Sequence, residues 1–162
     1  MTGIKVALKA DSGNFLARCN NCISNAAYPD SAFVHVSKGE LINSPWAHFN
    51  LERLDNGKYT LKADSGNYVA RCNNCIPNAA YPDATFVHVS EKDVKDGASW
   101  AQFTLERLDN GKYTLLSDNG NYVARCNNCI PGAAYPDAAF IHVSKGELIN
   151  SPWAQWDIII LP

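Results

Sequence analysis

The chain has no long apolar run. Stretches such as Ile158 to Leu161 reach only four residues, far short of the ~18 that a membrane-spanning helix needs, so membrane insertion is not expected. Neither charge is in clear excess. Lys and Arg number 14 against 16 Asp and Glu, for a net charge of −2, and the cations are scattered singly. Without a basic stripe to collect phosphates, nucleic acid is not an expected partner. Charged residues make up 19% and apolar residues 46%, a globular rather than a disordered balance. Six cysteines in 162 residues fall well below the density of a small secreted disulfide scaffold. The opening Met1-Thr2-Gly3-Ile4-Lys5 does not read as a secretory signal. The expected location is therefore cytoplasmic, or secreted with a signal already removed.

Catalytic signatures are missing too. No Gly-rich phosphate loop, serine nucleophile elbow or His-Glu-x-x-His helix occurs. Glu52 and Glu106 recur at one position, but Ile159 stands there in the third copy, which argues against a symmetric carboxylate pair for glycoside hydrolysis. The expectation is a protein that is not an enzyme, with no catalytic residues, no cofactor and no metal. Helical i, i+3, i+4 stripes of useful length are also lacking, which leaves strands.

What the chain does have is repetition. Arg-Cys-Asn-Asn-Cys-Ile occurs at Arg18 to Ile23, Arg71 to Ile76 and Arg125 to Ile130. The step from Cys19 to Cys72 is 53 residues and from Cys72 to Cys126 is 54. Each copy continues with Ala-Ala-Tyr-Pro-Asp, then Phe-(Val/Ile)-His-Val-Ser, then Trp-Ala-x-(Phe/Trp). The predicted repeats are about 3–56, 57–110 and 111–162 of one domain. In the second, Gly57 to Ala63 and Tyr68 to Cys72 read as strands around the turn Asp64-Ser65-Gly66-Asn67. Asn73 to Asp83 is a loop, Thr85 to Ser90 a third strand, Glu91 to Ser99 a polar loop and Trp100 to Leu108 a fourth strand. Four strands with one oily face cannot bury it alone, and three copies favour closure into a ring. Closure also removes aggregation-prone edges. Twelve strands about a threefold axis make an all-β protein of β-trefoil form. The first and fourth strands of each repeat would form a barrel, and the second and third would form three capping hairpins.

The motifs Gly-Lys-Tyr-Thr-Leu-Lys-Ala-Asp with Gly-Asn-Tyr-Val-Ala-Arg, at Gly57 to Arg71, resemble those of the amaranthin-like plant agglutinins. The runs Pro45 to Glu52 and Ser99 to Glu106 extend the likeness. More distantly, the chain is similar to the fascin-type trefoils. The resemblance implies a β-trefoil. The Cys-Asn-Asn-Cys tract is a departure from the agglutinins, so no sugar-site residue is carried over from them.

The candidate site is read from the residues themselves. Sugar binding needs an aromatic face for the apolar side of a pyranose and amides or carboxylates for its hydroxyls. Asn21, Tyr28, Asp30 and His35 supply these types, as do Asn74, Tyr81, Asp83 and His88, and Asn128, Tyr135, Asp137 and His142. The plainer reading makes Asn and Asp turn formers and packs Tyr onto the cap. The Cys-x-x-Cys spacing suits a zinc half-site, a redox pair, plain thiols or a local disulfide. Cys19 with Cys22, Cys72 with Cys75 and Cys126 with Cys129 are the expected disulfides, because that pairing keeps the symmetry. Trp46, Trp100 and Trp153 are expected to plug the barrel mouth. The leading functional expectation is a lectin with up to three shallow sites and glycans as partners. Association into a homodimer is compatible with the sequence. The alternatives are a fascin-like, actin-binding module and a metal or redox protein using the three cysteine pairs.

Overall fold

The computed structural model describes residues 3–162. Among them lie twelve strands in three sets of four. The first set is β1 (Ile4–Lys9), β2 (Phe15–Asn20), β3 (Asp30–Val36) and β4 (Phe49–Arg53). The second is β5 (Tyr59–Lys62), β6 (Tyr68–Asn73), β7 (Asp83–Val89) and β8 (Thr104–Arg107). The third is β9 (Tyr113–Leu116), β10 (Tyr122–Asn127), β11 (Asp137–Val143) and β12 (Asp157–Ile160).

Six of these close a barrel. β1 pairs with β4, β4 with β5, β8 with β9, and β12 with β1, all antiparallel. Bridges between Tyr59 and Phe103 and between Tyr113 and Trp156 complete the circuit. The other six form the hairpins β2–β3, β6–β7 and β10–β11. These meet on the axis through β3–β7, β7–β11 and β11–β3 contacts. The chain is therefore a β-trefoil, as its repeats require.

Strand alternation divides the apolar residues among a barrel core, a cap core and three smaller clusters, one per repeat. The barrel core holds Leu8, Phe49, Leu61, Phe103, Leu115 and Trp156. The cap core gathers Phe33, Phe86 and Phe140 with the cysteines of the three repeats. In the smaller clusters, 3-10 turns at Pro45–Ala47, Ser99–Ala101 and Pro152–Ala154 pack on β2, β6 and β10.

Those turns overturn the expectation for the repeated tryptophans. Trp46, Trp100 and Trp153 do not plug the barrel; they are 36–42% exposed. Neighbours in a 3-10 turn point about 120° apart. Burying Ala47, Ala101 and Ala154 completely therefore turns the preceding tryptophan outward. The plug lies three residues on, at Phe49, Phe103 and Trp156, all of which are buried. The polar loop after β7 also carries a five-residue helix, α1 (Glu91–Lys95), capped by the Ser90 hydroxyl accepting from the Asp93 amide. None of its residues is buried, so no apolar stripe announced it.

Trp156 also donates Nε1–H to the Val123 carbonyl at 3.0 Å. Trp156→Ala should cost about 3–5 kcal/mol, read as a lower urea midpoint at unchanged slope. Trp46→Ala should stay within about 0.5 kcal/mol, as surface changes usually do. Acrylamide should quench the fluorescence of Trp46, Trp100 and Trp153 and leave that of Trp156.

Candidate functional site

The loop joining the two strands of each cap hairpin carries the repeated motif. Asn21, Asn74 and Asn128 lie at φ 58°, and Asn25, Asn78 and Gly132 at φ 62°, 61° and 69°. This left-handed region suits Asn, whose side chain bonds locally, and Gly, which has no Cβ to clash. Asn21, Asn74 and Asn128 donate their backbone N–H to the carbonyls of Pro29, Pro82 and Pro136 at 2.7–2.8 Å. Their side-chain amides donate to Asn20, Asn73 and Asn127. These asparagines thus shape the loop, which is the plainer of the two readings of their role. Cys19–Cys22, Cys72–Cys75 and Cys126–Cys129 are disulfides. All six cysteines are used in this way, and they pack in the cap core.

The loops also bond to one another. Ala27 donates its N–H to the Cys75 carbonyl, Ala80 to Cys129 and Ala134 to Cys22, at 2.9–3.0 Å. This ring carries each tyrosine onto the next repeat. Tyr28 lies against His88 with ring centroids 4.5 Å apart, Tyr81 against His142 at 4.5 Å, and Tyr135 against His35 at 4.3 Å. The rings are tilted by 31–38°. A phenylalanine of the cap core meets each tyrosine edge-on. The expected Tyr–His combination therefore exists, but it joins neighbouring repeats. The tyrosines remain 41–43% exposed.

The histidines beneath them are half-buried, and their Nδ1 atoms are buried without a hydrogen-bond partner. Burial pushes all three imidazoles below their ordinary value. The carbonyls of Phe33, Phe86 and Phe140 pull the other way without reaching hydrogen-bonding geometry at Nδ1.

The aspartates are anchored. Asp30 Oδ1 accepts from Asn20 Nδ2 at 2.7 Å and from Arg18 at 3.3 Å, and Asp83 and Asp137 repeat this pattern. The second oxygen of Asp83 accepts from Asn119 at 2.7 Å. The matching oxygens of Asp30 and Asp137 accept from no described side chain.

Two features escaped the sequence reading. The first is a ring of arginine clamps. Arg18 also binds Asp64, Arg71 binds Asp118 and Arg125 binds Asp11, each through Nε and a terminal nitrogen at 2.7–3.2 Å. The arginine stood inside the repeated motif and Asp opened each turn, yet nothing in the spacing pairs them across repeats. These contacts hold the Asp11, Asp64 and Asp118 carboxyls below the usual carboxylate range.

The second feature is a pair of grooves on the barrel flank, of about 490 and 440 Å³, polar in their Glu, Asn, Tyr and Gln groups and apolar at Leu54, Val94, Leu108, Leu148 and Ile149. One is lined by Glu52, Asn56, Tyr68 and Gln102, the other by Glu106, Asn110, Tyr122 and Gln155. Asn56 donates to Gln102 and Asn110 to Gln155, both at 3.0 Å. Burial, with Glu91 and Glu52 nearby, pushes the Tyr68 phenol up; burial and Glu106 do the same to Tyr122.

No protein-family model matches the chain, and no curated protein matches it in sequence. Solved structures do match in shape. The designed threefold-symmetric protein ThreeFoil is 19% identical with a TM-score of 0.65, over 97% of this chain and 99% of that one. The SDF2-like protein from Arabidopsis thaliana is 8% identical with a TM-score of 0.72, over 100% and 97%. A chain of the Haemophilus ducreyi cytolethal distending toxin is 14% identical with a TM-score of 0.65, over 96% and 83%. At these identities the likeness is one of fold.

Two predictions follow from the charges. Imidazoles lowered from 6.5 make the unfolded chain take up protons that the native chain refuses. Stability should therefore fall as pH drops below about 6.5, and the triple His→Gln variant should flatten that part of a urea-midpoint profile. The lowered Asp11, Asp64 and Asp118 contribute stability above the ordinary value of 3.8 that is lost as pH falls through their folded values. Arg125→Met should cost about 1–2 kcal/mol at pH 7, the range of a partly exposed, doubly bonded ion pair, and should weaken this acid limb.

Proposed function

We propose that the protein is a non-catalytic lectin that engages one sugar unit at each of three tyrosine–histidine platforms. The observation that carries this reading is the exposure of Tyr28, Tyr81 and Tyr135 at 41–43%, although each ring is held from below by a histidine of the next repeat. A ring already fixed in place meets the apolar face of a pyranose at little further ordering cost. The unshared oxygens of Asp30 and Asp137 are suited to accept sugar hydroxyls. The resemblance to amaranthin-like agglutinins supports the reading, although a trefoil fold alone does not specify a ligand. Three disulfides favour an oxidising compartment outside the cytosol. Single-site affinity would be millimolar to micromolar, and three sites on one rigid body would raise avidity by about 10²–10⁴ on a multivalent glycan.

One observation favours a second reading. The two polar grooves are pocket-sized and combine an amide pair with a tyrosine and a glutamate, which are hydroxyl-binding groups. Calorimetric titration with a monosaccharide panel separates the two. Binding at the platforms gives a stoichiometry of three, falling to two in Tyr81→Ala. Binding in the grooves gives two, unaffected by the tyrosine change and reduced in Glu52→Ala. A stoichiometry of one, or no sugar bound at glycan-array densities, overturns both.

A further inference from the structure

The barrel flank holds a third groove, of about 460 Å³, in the place related by the pseudo-threefold axis to the two polar ones. Its chemistry is different. Where the other two present Glu52 and Glu106, it presents Ile159; where they present Tyr68 and Tyr122, it presents Phe15. His48 replaces Gln102 and Gln155, and its Nε2 is held by the Leu41 carbonyl at 2.7 Å. Leu41, Ile42 and Leu161 add apolar area, as Leu148, Ile149 and Leu108 do at the same places in one sister groove, and Pro162 completes the lining. Lys5 and Lys38, both exposed, stand among the lining residues. Lys38 has a counterpart in Lys145 of one sister groove, but there Glu106 and Asp109 accompany the lysine, whereas no Asp or Glu is among the described residues lining this groove.

The two sister grooves act as an internal control. The volumes are similar, and the sister groove walled by the 3-10 segment Lys145–Asn150 shares Lys, Leu and Ile with this one, so the contrast rests on Phe15, His48, Ile159 and the missing carboxylates. The loss of Glu, Tyr and Gln removes hydroxyl-binding groups together; the polar side chains left are His48, engaged with the Leu41 carbonyl, and the two lysines. We infer that this groove binds a small amphipathic anion, a single hydrocarbon or aromatic body ending in a carboxylate or similar acidic group. The apolar body lies over Phe15, Leu41 and Ile159, where its transfer from water drives binding, and the anionic end meets Lys5 and Lys38 at the rim. Charge complementarity selects the anion over a neutral or cationic amphiphile. The inference does not rest on sugar binding.

The test uses the full chain and decanoate as probe, with one-per-chain binding read by calorimetry and by chemical-shift changes at Phe15, Leu41 and Ile42. The expected dissociation constant lies between roughly 10 μM and 1 mM. Ile159→Glu restores the residue of the sister grooves and should weaken binding at least about tenfold, by placing a carboxylate where the hydrocarbon packs. Lys5→Gln and Lys38→Gln should each weaken it about threefold. Decyltrimethylammonium, a cationic amphiphile of the same chain length, should bind more weakly than decanoate. Ile42 is 79% exposed, so Ile42→Glu provides a second variant that leaves the core intact. An unchanged thermal midpoint in either variant establishes that it folds. Absence of decanoate binding, equal binding in Ile159→Glu and Ile42→Glu, or preference for the cation overturns the inference. So does a concentration-dependent dimer that Ile42→Glu dissociates, because a second copy then fills the groove. Binding confined to phosphatidylglycerol vesicles, without free decanoate bound, overturns it as well.

Discussion

Each repeat leaves hydrogen-bonding groups and an oily face that only the next repeat can satisfy. The loop amides of Ala27, Ala80 and Ala134 reach forward to Cys75, Cys129 and Cys22. The guanidinium groups of Arg18, Arg71 and Arg125 reach forward to Asp64, Asp118 and Asp11. The last of these spans 114 residues and joins the third repeat to the first. β12 does the same in the barrel by pairing with β1. An open array of the same units would leave one end with an unpaired amide and an arginine without its second carboxylate. Rotational closure is the arrangement that leaves none of these junctions open.

That constraint explains where the molecule is symmetric and where it is not. The cap core lies on the axis, so Phe33, Phe86 and Phe140 and the three disulfides belong to one packed cluster. A change in one copy is felt by the other two, because close-packed cores transmit small volume changes. The tyrosine–histidine contacts accordingly stay alike to within 0.2 Å in centroid separation. The flank grooves lie off the axis, each lined by its own residues. They were free to diverge, and Phe15, His48 and Ile159 mark where one of them did. A platform displayed in triplicate and a groove whose chemistry differs in one of three copies are thus outcomes of one geometry.

The fold was legible because its signals are local and occur three times. Period-two alternation at Tyr59 to Lys62, the turn at Asp64 to Asn67 and the Asn-Asn pair each act over a few residues. Their repetition at 53 and 54 residues counts the units. The disulfide within each Cys-x-x-Cys was among the readings that the spacing allowed. The outward turn of Trp46, Trp100 and Trp153 was not legible. A strand and a 3-10 turn differ in which of two adjacent residues faces in, and Pro-Trp-Ala admits either.

By itself the sequence determined the number of strands, their grouping into three and the residue types gathered in each loop, since these depend on neighbours along the chain. Only the tertiary structure decided that Tyr28 meets His88 rather than His35, that Arg125 meets Asp11, and that Phe15 and Ile159 share a groove. Those partners are set by the rotation that carries one repeat onto the next. That rotation is a property of the closed ring and of no single stretch within it.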